Sequence, residues 1–411
     1  MDWCITFSRT NKSNYMYRIF QAICLALTLS VALSSCNNEK VDTGSLPEID
    51  FETAYKEPIG PPTMSEFVSR VEYVKLETKP ECFVKSMQGI TFSKNFIALY
   101  EYPSKRIMIF TKEGKYLNDI GRVGQGPGEY NRARSIIISP DEKYVAFMQS
   151  GNLVYLYNLG GTFRGSTSGS SELIDAIAFD HDGALVVYQQ KLYLPDEGGY
   201  MILKYDENLS IVDSLMFHKP DKSALGAMYV QDQLITYEDD LYVRQVFNDT
   251  VYKMTTTGMV EPAYIINLGD MKLPSFKPTR QESYLKYLYV VSIHLSDQYF
   301  LVHLEGKARN PKPNTGTEEF VWYNRQTMDV VVTHPFYKND MDGINEHRMA
   351  WPVKNGGFWD YVNVVDAKPI VEEGSVKVED LATPEYYDEL KELLAESNIE
   401  DNPIIRIFHM K

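Results

Sequence analysis

The sequence predicts an all-β fold: a six-bladed β-propeller with four-stranded blades and one C-terminal helix inserted in the last blade. Three observations predict it. Aromatic residues make up 13% of the 411 positions, including 29 Tyr, a bias toward strands over helices. A short run of β-branched and aromatic residues, entered through a polar or Gly turn, recurs six times. A strand–turn–strand unit follows most of these runs, and its turns at Gly114, Gly161 and Asn208 are spaced 47 residues apart. A blade of four antiparallel strands needs about 40–50 residues, so the spacing fits one blade per repeat.

Taken in chain order, the first element is an address. Ile19 to Leu33 carries no charge and is rich in Leu, Ala and Val, with Arg9, Lys12 and Arg18 upstream. It is short for a membrane span, which needs roughly 20 residues, and suits the apolar region of a signal peptide. It ends Leu33-Ser34-Ser35-Cys36, a string that reads as a lipobox. Cleavage before Cys36 would leave that cysteine as the lipidated N-terminus. Residues 1–35 are therefore read as a lipoprotein signal peptide and 36–64 as lipidated cysteine and polar tether. Residues 65–411 are read as the propeller. Met16 offers an alternative start.

The six apolar runs are Phe96 to Tyr100, Tyr144 to Met148, Ala184 to Tyr188, Leu234 to Tyr237, Tyr299 to His303 and Phe358 to Tyr361. Uninterrupted apolar runs of this length between turn signals read as strands buried on both faces. The later repeats carry insertions near 271–283 and 308–317. In the last repeat the pattern breaks off after Tyr361. Thr383-Pro384 then supplies an N-cap and a proline at N1, and Tyr386, Leu390, Leu393 and Leu394 make one apolar helical face. A final strand, Ile404 to Met410, follows. Because Val68 to Leu76 also reads as a strand, the two ends of the propeller are expected to meet in the sixth blade and close it.

Composition excludes several functions. Net charge is −15, and losing residues 1–35 makes the chain more acidic. Such a surface repels phosphate backbones, so nucleic acid is not an expected partner. Of four cysteines, three lie in or beside the export segment. Cys82 is left without an intramolecular partner, which rules out a disulfide scaffold or a multi-thiolate zinc site. Seven histidines are scattered without HExxH or helical pairing, and no GxSxG elbow is present, so no catalytic residue and no metal ligand is assigned.

The string Gly121-Arg122-Val123-Gly124-Gln125-Gly126-Pro127-Gly128-Glu129-Tyr130 follows a strand–Gly–strand unit and resembles the bridge between blades of NHL-type propellers. Together with the lipobox, Asn248-Asp249-Thr250-Val251-Tyr252 and the closing Asp401-Asn402-Pro403 strand, it is most similar to the six-bladed β-propeller lipoproteins of Bacteroidota, NHL- or TolB-like. The resemblance covers about residues 65–411. It implies a propeller in the cell envelope, anchored at the outer membrane through Cys36 and facing either the periplasm or the surface. It implies no set activity, because propellers host many.

The glycine string lacks the Lys-Ser/Thr ending of a P-loop and reads as a tight crossing between blades, with Arg122 and Glu129 as its clamp and Tyr130 packed beneath. If it instead meets a ligand, Arg122, Gln125 and Tyr130 are the binding candidates. Trp351, Trp359 and Tyr361 could stack on sugars or peptide side chains at an open face. The function expected is binding or scaffolding of an envelope protein, peptide or glycan. The alternative is a metal-dependent hydrolase, lactonase or lyase. Calcium is the cofactor it would admit, with Asp180 and Asp360 at plausible strand edges. Convergence of three or more carboxylate, Asn or His groups on the central channel separates the two.

Overall fold

In the computed structural model the described residues are 46–54, 63–150, 152–167, 173–190, 199–218, 234–245, 248–273, 286–306, 317–333, 337–344, 351–353 and 356–411. They form six antiparallel sheets of the propeller type. Blade 1 runs from its innermost strand outward as Met87–Phe92, Phe96–Glu101, Arg106–Thr111 and Tyr116–Asp119. Blade 2 is Arg134–Ile138, Tyr144–Ser150, Leu153–Asn158 and Phe163–Ser166, and blade 3 is Leu173–Phe179, Leu185–Gln190, Gly199–Tyr205 and Ile211–His218. Blade 4 is Leu234–Tyr237, Asp240–Arg244, Thr250–Met254 and Val260–Asn267, and blade 5 is Leu288–Leu295, Tyr299–Gly306, Thr317–Asn324 and Val330–Thr333.

Blade 6 joins the ends of the chain. Its inner strands are Trp351–Val353 and Gly357–Val362, its third is the C-terminal Ile404–Met410, and its outermost is Val68–Lys75. The seam pairs Val71 with Phe408 and Val74 with Ile405. The expected ring closure is thus what the structure contains.

The second strand of each blade explains why the apolar runs are continuous. In Phe96–Glu101, Ile97 and Leu99 pack on Trp359, Ile405 and Ile407 of blade 6, while Ala98 and Tyr100 pack on Val145 and Phe147 of blade 2. Blade 2 repeats the division, turning Ala146 and Met148 toward Val187 of blade 3. A strand with a sheet on each side has no solvent face, so period-two alternation disappears. Each large side chain so buried contributes about 1.5–3 kcal/mol. The hairpin turn at Gly114 shows how close the approach becomes. Its φ is +85°, and a Cβ there would stand 2.2 Å from the carbonyl oxygen of Lys75.

The seam also carries a buried ionic knot. Arg406 is 1% exposed. Its Nε and Nη2 donate to the two carboxylate oxygens of Asp360, both at 2.7 Å. Its Nη1 donates to Asp342 Oδ1 at 3.0 Å and to the carbonyl of Ile344 at 2.9 Å. Tyr73 Oη donates to Asp342 Oδ2 at 2.8 Å. One guanidinium therefore ties the third strand to the second, to the crossing from blade 5 and, through Asp342, to the outermost strand. Arg406 is held charged by these two carboxylates against the cost of its burial.

Three features differ from the sequence reading. Leu234–Tyr237 is the innermost strand of its blade; Asp240–Arg244 is the second. The short turn at Glu238-Asp239 brings the two apolar runs so close that they read as one. Within the stretch assigned to the tether, Glu48–Asp50 pairs in parallel with Val260–Asn267 as a fifth strand on the edge of blade 4. Ile49 and Phe51 are fully buried there. Finally, two helices occupy the insertion in blade 6, Val364–Glu372 and Pro384–Ala395. The first escapes a sequence reading because Pro369 sits inside it, where proline normally ends a helix. The expected second helix buries Tyr387, Leu390 and Leu394 against Val362, Ile404 and the first helix. The insertions near 271–283 and 308–317 lie mostly outside the described residues.

Candidate functional site

The blade-to-blade crossings deliver the chain to the start of each innermost strand, and there the ladder is repeatedly interrupted. In blade 1, Gln88 is unmatched between the pairs Met87–Glu101 and Gly89–Tyr100. In blade 2 the register slips between Arg134 and Ile137, and Ser135 takes φ +49°. Asp175 is the extra residue in blade 3, and Val291 in blade 5. Bulges re-aim side chains and commonly border functional sites. Here they fall at one level of four inner strands, at the end of the channel that the crossings enclose.

Two charged side chains stand at this mouth. Arg134 opens the inner strand of blade 2, and Asp175 lies on the adjacent inner strand of blade 3; both are half-buried. Neither makes a hydrogen bond or an ion pair among the described residues, although each lies in the other's field. Burial pushes the Asp175 carboxyl up to about 6, and Arg134 offsets only part of that. Tyr188, on the second strand of blade 3, is buried between the fields of Asp175 and Arg244. Arg244 is 3% exposed and donates from Nη2 to the carbonyl of Val290, beside the bulge of blade 5, at 3.2 Å. A line of charge thus runs Arg134, Asp175, Arg244 over blades 2 to 4.

The residues singled out from sequence lie elsewhere. The glycine string folds on itself: Arg122–Val123 bridges Glu129–Tyr130 in parallel, and Glu129 accepts from Arg122 Nε at 2.5 Å and from the Gly126 amide at 2.8 Å. Arg122 and Gln125 are exposed on this loop. Tyr130 is 1% exposed, meets Phe147 edge-on at 5.1 Å and accepts the Ile107 amide at 3.0 Å. It packs between blades and offers no surface to a ligand. Two of the three aromatic candidates of blade 6, Trp359 and Tyr361, pack between blades. Trp359 is 1% exposed in the packing against blade 1, with Tyr361 stacked on it at 6.4 Å. Trp351 pairs with Trp359 through the backbone, and its side chain lies outside the described residues. Cys36 also lies outside them. Asp180 is held by Lys204 at 2.7 Å at the opposite end of blade 3, and Asp360 by Arg406, so the two do not converge.

The loop contacts lead to a specific expectation. Tyr130→Ala should cost about 3–5 kcal/mol, from a lost buried ring and an orphaned amide. Arg122→Ala should cost at most about 1 kcal/mol, because its side chain is largely solvated. Thermal melts of the two variants check this, and equal melting temperatures would refute the assignment.

The described residues at the mouth bring no calcium ligand set together. That ion needs about six to eight oxygen ligands. Here the guanidinium of Arg134 acts on Asp175 and repels a cation. Among the described residues no group of three or more His, Cys, Asp or Glu is placed to hold a metal.

Residues 46–409 match the family model for a domain of unknown function, DUF4934. The chain belongs to the DUF4934 family. No curated protein matches this DUF4934 chain. Among solved structures it is similar to a candidate exported protein of Bacteroides fragilis NCTC 9343, at 18% identity and a TM-score of 0.62, over 86% of this chain and 100% of that one. It also matches a DUF4221 family member from Bacteroides vulgatus ATCC 8482, at 11% identity and TM-score 0.46, over 84% and 97% of the two chains. Virginiamycin B lyase from Staphylococcus aureus matches at 10% identity and TM-score 0.40, over 82% and 99%. At these identities the first likeness speaks for the fold of the DUF4934 chain and for nothing finer.

Asp175 and Arg244 were missed from sequence, but not for want of a signal. Leu173-Ile174-Asp175-Ala176-Ile177 places one acid in an otherwise apolar run. A charge there costs stability unless the backbone turns it toward water or a partner.

Proposed function

We propose that this protein is an envelope lipoprotein, anchored through Cys36, that uses its propeller as a binding module for a peptide, protein or glycan. The observation that carries the binding reading is the pair Arg134 and Asp175, charged groups half-buried at the start of the inner strands with no hydrogen-bond or ion-pair partner among the described residues. Charges in that position are costly to keep, and a ligand that engages them recovers the cost. The anchoring reading rests on Leu33-Ser34-Ser35-Cys36 after an apolar segment. The rival reading, a metal-dependent hydrolase or lyase, finds less support because the Arg134 guanidinium acts on Asp175 and opposes a cation there.

Binding is tested by melting the full chain in detergent with and without the small-molecule and oligomer fraction of a bacterial envelope extract. A saturable rise in melting temperature, lost in Arg134→Ala, is expected. No rise at any extract concentration would refute the reading. Anchoring is tested separately: Cys36→Ala should lose labelled palmitate and leave the membrane fraction. Retention of both would refute the anchor.

A further inference from the structure

Away from the inner strands, the seam between blades 6 and 1 holds an open cleft of about 940 Å³. We propose that this cleft binds a neutral oligosaccharide, with a sugar ring laid on Phe83 and its hydroxyls met by Lys368, Asn398 and Glu400. The site is separate from the pair Arg134 and Asp175 and does not rest on the reading given to them.

One wall is the short 3-10 turn Pro80–Cys82 with Phe83, ahead of the first strand of blade 1. The other is the loop 397–401 that follows helix Pro384–Ala395, and Lys368 joins the lining from helix Val364–Glu372. Asn402 fastens the two walls together and is fully buried. Its amide donates to Thr78 Oγ1 at 2.9 Å, and its Nδ2 donates to the carbonyls of Glu77 and Cys82 at 2.8 and 2.9 Å. Its Oδ1 accepts the Val84 amide at 2.7 Å. The walls are thus set before a ligand arrives, which lowers the ordering cost of binding.

Two large apolar side chains of the lining stand in the open, Phe83 at 47% and Ile399 at 60% exposure. Two lysines, 79 and 368, face two carboxylates, 400 and 401, so the lining carries no net charge and favours neither anion nor cation. Lys79 is paired with Glu77, and Asp401 accepts the Asn398 amide at 2.9 Å. Lys368 gives one of its three donors to the Ser397 carbonyl at 2.7 Å. The side chains of Asn398 and Glu400 have no partner among the described residues and are exposed. Left for a ligand are ammonium donors, an amide that donates and accepts, and a carboxylate that accepts, all beside apolar surface. A pyranose matches this set, with an apolar C–H face, hydroxyls that donate and accept, and no charge. An extended peptide matches it less well, because strand-like recognition runs through free backbone groups. Here the amides of Cys82, Val84, Ser397, Asn398 and Asp401 are already bonded within the walls.

Isothermal titration of the full chain, in a detergent without a sugar headgroup, tests this. The neutral probes are maltotetraose, cellotetraose, xylotetraose and chitotetraose; the others are tetragalacturonate and a blocked tetrapeptide of alanine and phenylalanine. At least one neutral probe should bind with a Kd of about 1 mM or tighter. Phe83→Ala and Glu400→Ala should each weaken it about ten-fold with unchanged melting, and Arg134→Ala should leave it as it is. At that affinity the sugar adds little to the melting temperature in dilute envelope extract, so the two sites are judged independently. Tetragalacturonate or the peptide binding as tightly, with the same loss in Phe83→Ala, would overturn the proposal in favour of an anion or a peptide site. No binding of any neutral probe up to about 10 mM would overturn it as well, and the reading of Arg134 and Asp175 would be untouched.

Discussion

A chain ended after Asn402 should show no cooperative melting transition. The truncation removes the third strand of blade 6, and with it Ile404, Ile405 and Phe408, each fully buried, along with Ile407 and Met410. Each such loss costs about 2–5 kcal/mol, and together they exceed the roughly 5–15 kcal/mol by which domains are stable. The strand also separates Val68–Lys75 from Gly357–Val362, so both neighbours lose their ladder. A ring opened at one blade exposes the facing sides of blades 5 and 1. Near-ultraviolet circular dichroism during heating is the check. Melting like that of the full chain would show that the seam is not where the ring is fastened.

Arg406→Ala is expected to cost about 3–5 kcal/mol, the second largest effect, for an electrostatic reason. Asp342 is fully buried and Asp360 nearly so, and the guanidinium is the cation that both share. Removing one partner leaves buried charge uncompensated, whereas removing the charges together is often close to neutral. A triple variant, Arg406→Met with Asp342→Asn and Asp360→Asn, should therefore recover most of the loss. The asparagine at 342 keeps one acceptor oxygen for the Ile344 amide, and its NH2 donates to Tyr73 Oη, whose hydroxyl turns from donor to acceptor. If the triple variant melts as low as the single one, shape and not charge governs the site.

How much of this could be read in advance depends on what each residue packs against. Second strands such as Phe96–Glu101 were legible because blades on both sides turn them wholly apolar. The seam was legible because Val68–Lys75 and Ile404–Met410 are strands with no partner near in sequence. The glycine string was legible as architecture, since Gly121 and Gly128 take positive φ and lie against Tyr157 and Phe163. The site was harder to see. Trp359 and Tyr361 look like ligand platforms until the ring places blade 1 over them. Arg134 and Asp175 are forty-one positions apart in number, and only the inner-strand ring brings them to one mouth. Sequence shows a charge in an apolar run but not which way a bulge turns it.

That bulge yields the most direct test of the central claim, that Asp175 is held at the channel mouth for a ligand and at the expense of the fold. Because the folded protein raises this carboxyl to about 6 from an ordinary value of 3.8, the folded state keeps a proton that the unfolded chain has released. Stability from this group therefore falls as pH rises from about 4 to about 6, and the whole penalty is present above that window. Asparagine carries no such penalty. The decisive measurement is the difference in melting temperature between Asp175→Asn and the unaltered chain, at about pH 7.5 and about pH 3.5. The variant should be the more stable by about 1–2 kcal/mol at the higher pH, allowing for the water that still reaches the group, and equal at the lower. It should also have lost the stabilisation given by envelope extract. A variant that melts at or below the unaltered chain at neutral pH, or that still responds to the extract, would contradict the account.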